Sequence, residues 1–232
     1  ATVKWRRNIY ILLVHICELL VHMTSLAKTE RAVLLLLFKD FTIDYNANTI
    51  CKKLGVSRRG ALTIVKKLKN RGLLISRRYG KSVFYKVNLA ETYTCKVIEV
   101  LLMDESKENG SRWLFEFKGL FPLVSIAIIF GSAIRNYDKA NDIDLVVVFT
   151  KTKFKIVTEW IADKNRILLK PIHRIIQTPK KLIKNLKMPD PVIVNALRFG
   201  YILHGYEELI AAVYQAQKAH GNFAVPEPEK RL

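Results

Sequence analysis

Polar and apolar positions alternate along the first half of the chain in a way that predicts three helices and a hairpin. Thr29 precedes Glu30, Arg31 and the apolar run Ala32–Phe38, the pattern of a capped helix. Ile50 and Leu54, four residues apart and followed by Gly55, predict a short second helix with a glycine C-cap. Ser57 then caps a third helix. Its Ala61, Leu62, Val65 and Leu68 make one apolar stripe, leaving Arg58, Arg59, Thr63, Lys66, Lys67 and Asn70 to face outward until Gly72 ends it. The period then changes to two. Leu73–Arg78 and Ser82–Val87 predict strands, with Val83, Tyr85 and Val87 on one face and Phe84 and Lys86 on the other. The turn at Tyr79-Gly80-Lys81 makes them a hairpin carrying Arg77, Arg78 and Lys81 near its tip.

Tyr93, Val97, Val100 and Leu101 predict a helix over 91–104, and the polar stretch Glu105–Ser111 predicts a domain boundary. Beyond it, Val124–Phe130 reads as a buried strand, followed by Gly131-Ser132 with Ser132 opening a short helix. Asp142-Ile143-Asp144 then leads into a second strand, Leu145–Phe149. A helix over 154–162 and a third strand over 166–176 come next. Thr178-Pro179 opens a helix through Leu186, and Asp190-Pro191 pairs a cap with a first-turn proline ahead of a helix over 192–203. Gly205 ends that helix, 207–219 forms the last one, and a frayed tail runs from Gly221. The resulting division is an N-terminal helical segment over 1–27, a domain over 28–90, a linker helix over 91–110, a second domain over 111–220 and a tail over 221–232.

Charge sharpens this picture. Lys and Arg number 39 against 20 Asp and Glu, a formal charge of +19, which points to a polyanionic partner. Between Tyr45 and Ala90 there are 12 Lys or Arg and no Asp or Glu at all. A basic run alone is often just a solvated face, so the scaffold beneath it decides what it means. The three cysteines, Cys17, Cys51 and Cys95, lie far apart and read as reduced thiols of a cytoplasmic protein. Ile9–Val21 is apolar but spans only 13 residues and contains His15 and Glu18, whereas a bilayer span needs about 20 apolar residues. Lys4, Arg6 and Arg7 in front of it have the look of a signal n-region. An amphipathic helix packed on the next domain or on a second subunit explains the leucines without export.

Helix, short helix, glycine turn, basic helix and basic hairpin, in that order over about 28–90, resemble a winged helix-turn-helix domain of the archaeal and bacterial regulator type. The resemblance implies double-stranded DNA as a partner. The third helix would enter the major groove, with Arg58, Arg59 and Thr63 near base edges and Lys66 and Lys67 on phosphates. Arg77, Arg78 and Lys81 of the hairpin would meet the flanking backbone or minor groove. A winged helix used for protein contact is the alternative. The helices flanking the domain, over 9–22 and 91–104, suggest a homodimer.

Strand, Gly131-Ser132, short helix and Asp142-x-Asp144 on a second strand resemble the nucleotidyltransferase fold of the DNA polymerase beta superfamily, particularly its minimal members. The expected fold class is therefore α/β (α+β), a winged helix-turn-helix followed by a nucleotidyltransferase-fold mixed sheet with C-terminal helices. Alternation along a strand puts Asp142 and Asp144 on one face, where both carboxylates can hold Mg²⁺ or Mn²⁺. The resemblance implies an NTP bound there, with two metal ions serving transfer of a nucleoside monophosphate to a hydroxyl or phosphate acceptor. Gly131 would permit close backbone approach. Ser132 would present a helix N-terminus to the phosphates, and Arg135 would add a cation. One departure stands out: members of the family with full activity usually place a further acid on the third strand, and residues 166–176 contain no Asp or Glu. His173 is the residue there able to ligate a metal or act as a base. Three functions follow. The protein is a DNA-associated nucleotidyltransferase, a silent nucleotide-responsive transcription regulator, or an antitoxin-like protein that neutralises a small helical toxin and controls its own operon.

Overall fold

A computed structural model of the chain describes residues 26–219. The helix expected over 9–22 and the tail from 221 lie outside the described residues. In chain order the elements are α1 (Lys28–Lys39), β1 (Tyr45–Asn46), α2 (Ala47–Leu54), α3 (Arg58–Asn70), β2 (Leu74–Tyr79), β3 (Ser82–Val87), α4 (Thr92–Asn109) and α5 (Ser111–Phe117). After a 3₁₀ segment (Lys118–Leu123) come β4 (Ile126–Phe130), β5 (Ile143–Val148), a 3₁₀ turn (Lys151–Lys153), α6 (Phe154–Asn165), β6 (Ile172–Gln177), α7 (Pro179–Lys187), α8 (Pro191–Phe199), β7 (Tyr201–His204) and α9 (Tyr206–Ala219).

The first part is a winged helix. β1, β3 and β2 form an antiparallel sheet in that order, with Tyr45 opposite Tyr85 and Arg78 opposite Val83. Local chemistry sets its helices. Asn46 caps α2 by accepting from the Asn48 and Thr49 N–H groups, Gly55 ends it at φ 65° in the left-handed region, and Ser57 Oγ caps α3 by accepting from Gly60 N–H at 3.0 Å. Thr29 is not a cap: α1 begins two residues earlier than a Thr29 cap would start it, behind Ala27, whose N–H donates to the Glu30 side chain. The α3 stripe is Ala61, Val65 and Leu68, all fully buried, whereas Leu62 is exposed. Leu62 sits about 100° around the helix from Ala61, which turns it to the basic side. Lys86, on the same hairpin face as Phe84, is buried and donates to Phe41 carbonyl at 2.6 Å while pairing with Asp44.

The second part is a mixed sheet in the order β6-β5-β4-β7, with β5 and β6 parallel and the other pairs antiparallel. Both of its faces are covered, which explains the continuous apolar runs of β4 and β5. Ile126, Ile128, Val146 and Val148 join α7, α8, α9 and the whole winged-helix core in one apolar cluster. Ala127, Ile129, Leu145 and Val147 pack on the other side against Trp113, Phe117, Val157 and Ile161 of α5 and α6.

Four expectations change here. The polar stretch from Glu105 does not break the chain into a loop: α4 continues to Asn109, because Ser106 is fully buried and donates to Ile202 carbonyl. The third strand begins at Ile172, not 166, since residues 166–171 form a loop in which Ile167 and Leu169 lie exposed. The helix expected over 192–203 ends at Phe199. Tyr201–His204 is instead a strand on the β4 edge. Finally, Ser132 opens no helix. Its carbonyl accepts from Arg135 and Asn136 N–H groups, and Asn136 Oδ1 then takes the Lys139 N–H, closing a second turn instead of extending the first.

Candidate cation cluster and nucleic-acid interface

The sheet register builds the cluster. Phe130 of β4, Asp144 of β5 and His173 of β6 are cross-strand partners, so their side chains form one row across three strands. Asp142 lies two residues before Asp144 and comes to the same side. Asp142, Asp144 and His173 together bring three ligand atoms within 4.8 Å of one another. His173 Nδ1 stands 2.8 Å from Asp144 Oδ1. Among the described residues no Lys or Arg is paired with either carboxylate, although the chain carries a large basic excess. Lys170 is close by, but it donates to the Asp138 and Ala140 carbonyls. The donor set therefore fits a divalent cation, with two carboxylate oxygens and an imidazole nitrogen within 4.8 Å of one another.

Gly131 serves this cluster in a way different from the expected one. At φ 84° it adopts a backbone conformation that favours glycine, and a Cβ there would meet Asp144 Oδ2 at 2.0 Å. What approaches its backbone closely is thus the Asp144 carboxylate. Because Ser132 begins only a single turn, it offers no helix dipole to a phosphate, and that part of the expectation is corrected. Arg135 is exposed beside the same turn, and among the described residues no hydrogen-bond or ion-pair partner is found for its guanidinium. Phe130, Gly131, Ile134 and Arg135 line a cleft of about 300 Å³ closed by Asn195 and Phe199 of α8. Sequence reasoning missed these two α8 residues, since nothing in local periodicity tells which helix will lie beside the Gly131 turn.

The basic surface comes from α3 and the hairpin. Arg58, Arg59, Thr63 and Lys66 are exposed on α3, and Arg77, Arg78 and Lys81 are exposed on the wing. Thr63 Oγ1 donates to Arg59 carbonyl, and the Arg77 guanidinium lies 4.9 Å from the centre of the Tyr79 ring. Lys67 differs from its neighbours. Its Nζ is 2.6 Å from Glu30 Oε1, and Glu30 is almost completely buried. Lys67 thus neutralises an internal carboxylate of α1 and ties α3 to it.

Two polar joints fasten the winged helix to the second part. Lys39 is buried and donates to both Glu105 oxygens and to the Gly200 carbonyl. Asp40 is buried as well, accepting from Tyr45 Oη at 2.6 Å and pairing with Arg198 of α8. Burial, reinforced by that hydrogen bond, holds the Tyr45 hydroxyl well above its ordinary pKa. The helix that closes the Gly131 cleft is therefore the same helix that grips the end of α1.

No family model matches the chain, and no curated protein matches it. Among solved structures it is similar to a double mutant of ZitR from Lactococcus lactis, at 15% identity over 61% of this chain and 75% of that one, with a TM-score of 0.33. It is also similar to the adhesin competence repressor AdcR of Streptococcus pyogenes, at 14% identity over 68% and 92% of the two chains, with a TM-score of 0.30. The winged helix is defined by the chain's own topology. Among the described residues no helix is long and apolar enough to cross a membrane.

Proposed function

We propose that the protein is a DNA-binding regulator whose second part binds a nucleotide together with a divalent cation. The observation that carries the DNA half is the exposed basic face of α3 and the wing, in a segment of 12 Lys or Arg without one acidic residue. Lys and Arg in that position neutralise phosphates and release counterions, while Arg58, Arg59 and Thr63 on the outer face of α3 are placed to read a groove. The nucleotide half is supported by the cluster of Asp142, Asp144 and His173 beside a cleft that holds Arg135. A divalent cation bound there would neutralise phosphate oxygens. Arg135 would hold an outer phosphate, and Phe130 and Phe199, which line the cleft, would give a base apolar neighbours. The Lys39 and Asp40 joints give the two halves a physical link.

A second reading, transfer of a nucleoside monophosphate to an acceptor, is favoured by the pairing of Asp142 and Asp144 with the Gly131 turn, the part of the chain that resembles nucleotidyltransferases. Thermal unfolding with each NTP and Mn²⁺ or Mg²⁺ tests the shared element of both readings, using the parent and the Asp142→Asn/Asp144→Asn variant. A ligand at 100 times its dissociation constant adds about 2.7 kcal/mol. Metal-dependent stabilisation lost in the variant supports a nucleotide site. No shift with any nucleotide removes it. Labelled-nucleotide transfer by the parent then separates the enzyme from the regulator.

A further inference from the structure

We infer that His173 is the third protein ligand of the cation cluster and makes it a site for a transition metal of the Mn²⁺, Co²⁺ or Zn²⁺ kind rather than for Mg²⁺. This builds on the reading of Asp142 and Asp144 as cation ligands, and it requires no nucleotide. Geometry gives the first part of the argument. Ligands up to about 2.4 Å from one ion must lie within about 4.8 Å of one another, which the three atoms satisfy. His173 is not a chance surface neighbour, because parallel pairing of β5 and β6 fixes it opposite Asp144. Strand position is what holds the imidazole there, so two of the three donors, Asp144 and His173, are fixed by the sheet, and Asp142 joins them from the bend before β5.

Donor chemistry gives the second part. Mg²⁺ takes oxygen ligands in strict octahedral geometry and loses its waters reluctantly, whereas an imidazole nitrogen suits first-row transition metals. A site of two carboxylates and one imidazole discards an anionic oxygen that Mg²⁺ would use and supplies a nitrogen that Mn²⁺, Co²⁺ and Zn²⁺ accept. Transition metals bind most N/O sites more tightly than Mg²⁺ in any case, so absolute preference is a weak criterion. The discriminating quantity is how each metal responds when residue 173 is changed.

The test uses the full chain without nucleotide. Dissociation constants for Mg²⁺, Mn²⁺ and Co²⁺ are measured by calorimetry, with Mn²⁺ electron paramagnetic resonance and the Co²⁺ visible spectrum as readouts independent of activity. Variants are His173→Ala, His173→Asp and, to remove the site, Asp142→Asn/Asp144→Asn. His173 is mostly exposed, so neither substitution removes core packing, and metal-free melting verifies that. Even residues that only hydrogen-bond to a metal ligand are worth about 10- to 100-fold in affinity, so loss of a direct ligand predicts at least tenfold weaker Co²⁺ binding in His173→Ala. Mg²⁺ affinity should stay unchanged in His173→Ala and rise in His173→Asp, where the Co²⁺ to Mg²⁺ ratio falls. Equal weakening of Mg²⁺ and Co²⁺ by His173→Ala, or no weakening of Co²⁺, would overturn the inference. So would metal binding that survives in the double asparagine variant. If the metal results hold and no NTP binds, the cation site stands and only the nucleotide reading fails.

Discussion

Arg198→Ala is the substitution that most directly probes how the two parts are joined. Arg198 reaches from α8 to Asp40 at the end of α1, where the Asp40 side chain is only 3% exposed and the Arg198 side chain 24%. With the guanidinium gone, Asp40 keeps the Tyr45 hydroxyl as its partner and remains a buried carboxylate. Breaking a buried pair by removing one member costs about 3–5 kcal/mol, and partial exposure of Arg198 places the expectation near 3 kcal/mol. For a chain of this size that corresponds to a melting temperature lower by roughly 6–12 °C. The cost should shrink when the stranded charge is also removed, so Asp40→Asn/Arg198→Ala should lie closer to the parent than Arg198→Ala does. Urea unfolding followed by circular dichroism, with all four corners of the Asp40/Arg198 cycle, measures this. A loss below about 1 kcal/mol for Arg198→Ala, the value of an exposed pair, would refute the assignment of a buried joint.

Other expectations are equally concrete. Gly131→Ala places a methyl where Asp144 Oδ2 lies, so it should displace the carboxylate and abolish cation binding, read by Mn²⁺ resonance, while the winged helix still binds DNA. Lys67→Ala should cost stability, not DNA affinity, because it leaves Glu30 buried without its cation. A loss of DNA affinity at unchanged melting temperature would contradict that. Tyr45, Tyr85, Tyr201 and Tyr206 are each held above the ordinary tyrosine pKa, in every case chiefly by burial. The folded state therefore keeps protons that the unfolded chain releases above about pH 10, and stability should be full below that pH and fall as pH rises past it. A melting temperature flat from pH 9 to 11 would contradict this.

The winged helix was legible because each of its boundaries has a local cause: Ser57 and Gly55 cap, Gly72 ends α3, and the period-two strands flank Gly80. The Asp142-x-Asp144 pair was legible from its local spacing, although β5 begins at Ile143 and only Asp144 lies on the strand, with Asp142 in the bend just before it. What was hidden depends on distant partners. Tyr201–His204 continues the apolar pattern of α8 and becomes a strand only because the β4 edge is open to it. Ser106 and Lys39 look like solvent residues in sequence and are buried because Ile202, Glu105 and Gly200 meet them from elsewhere in the chain. Lys67 reads as a phosphate contact beside Lys66, and nothing local in the sequence shows that its ammonium also pairs with the buried Glu30 of α1. The Ser132 turn failed as a helix prediction because Asn136 offers the backbone a competing side-chain acceptor.

The central claim, that α3 and the wing form a nucleic-acid interface, is tested most directly by the salt dependence of double-stranded DNA binding. Fluorescence anisotropy at several salt concentrations would compare the parent with the variant Arg58→Ala/Arg59→Ala/Arg78→Ala/Lys81→Ala. If those four side chains each meet a phosphate, the slope of log K against log salt should become less steep by about 3.6, roughly 0.9 per contact, with weaker binding throughout. An unchanged slope and affinity in the variant, or a parent that does not bind DNA at low salt, would contradict the account.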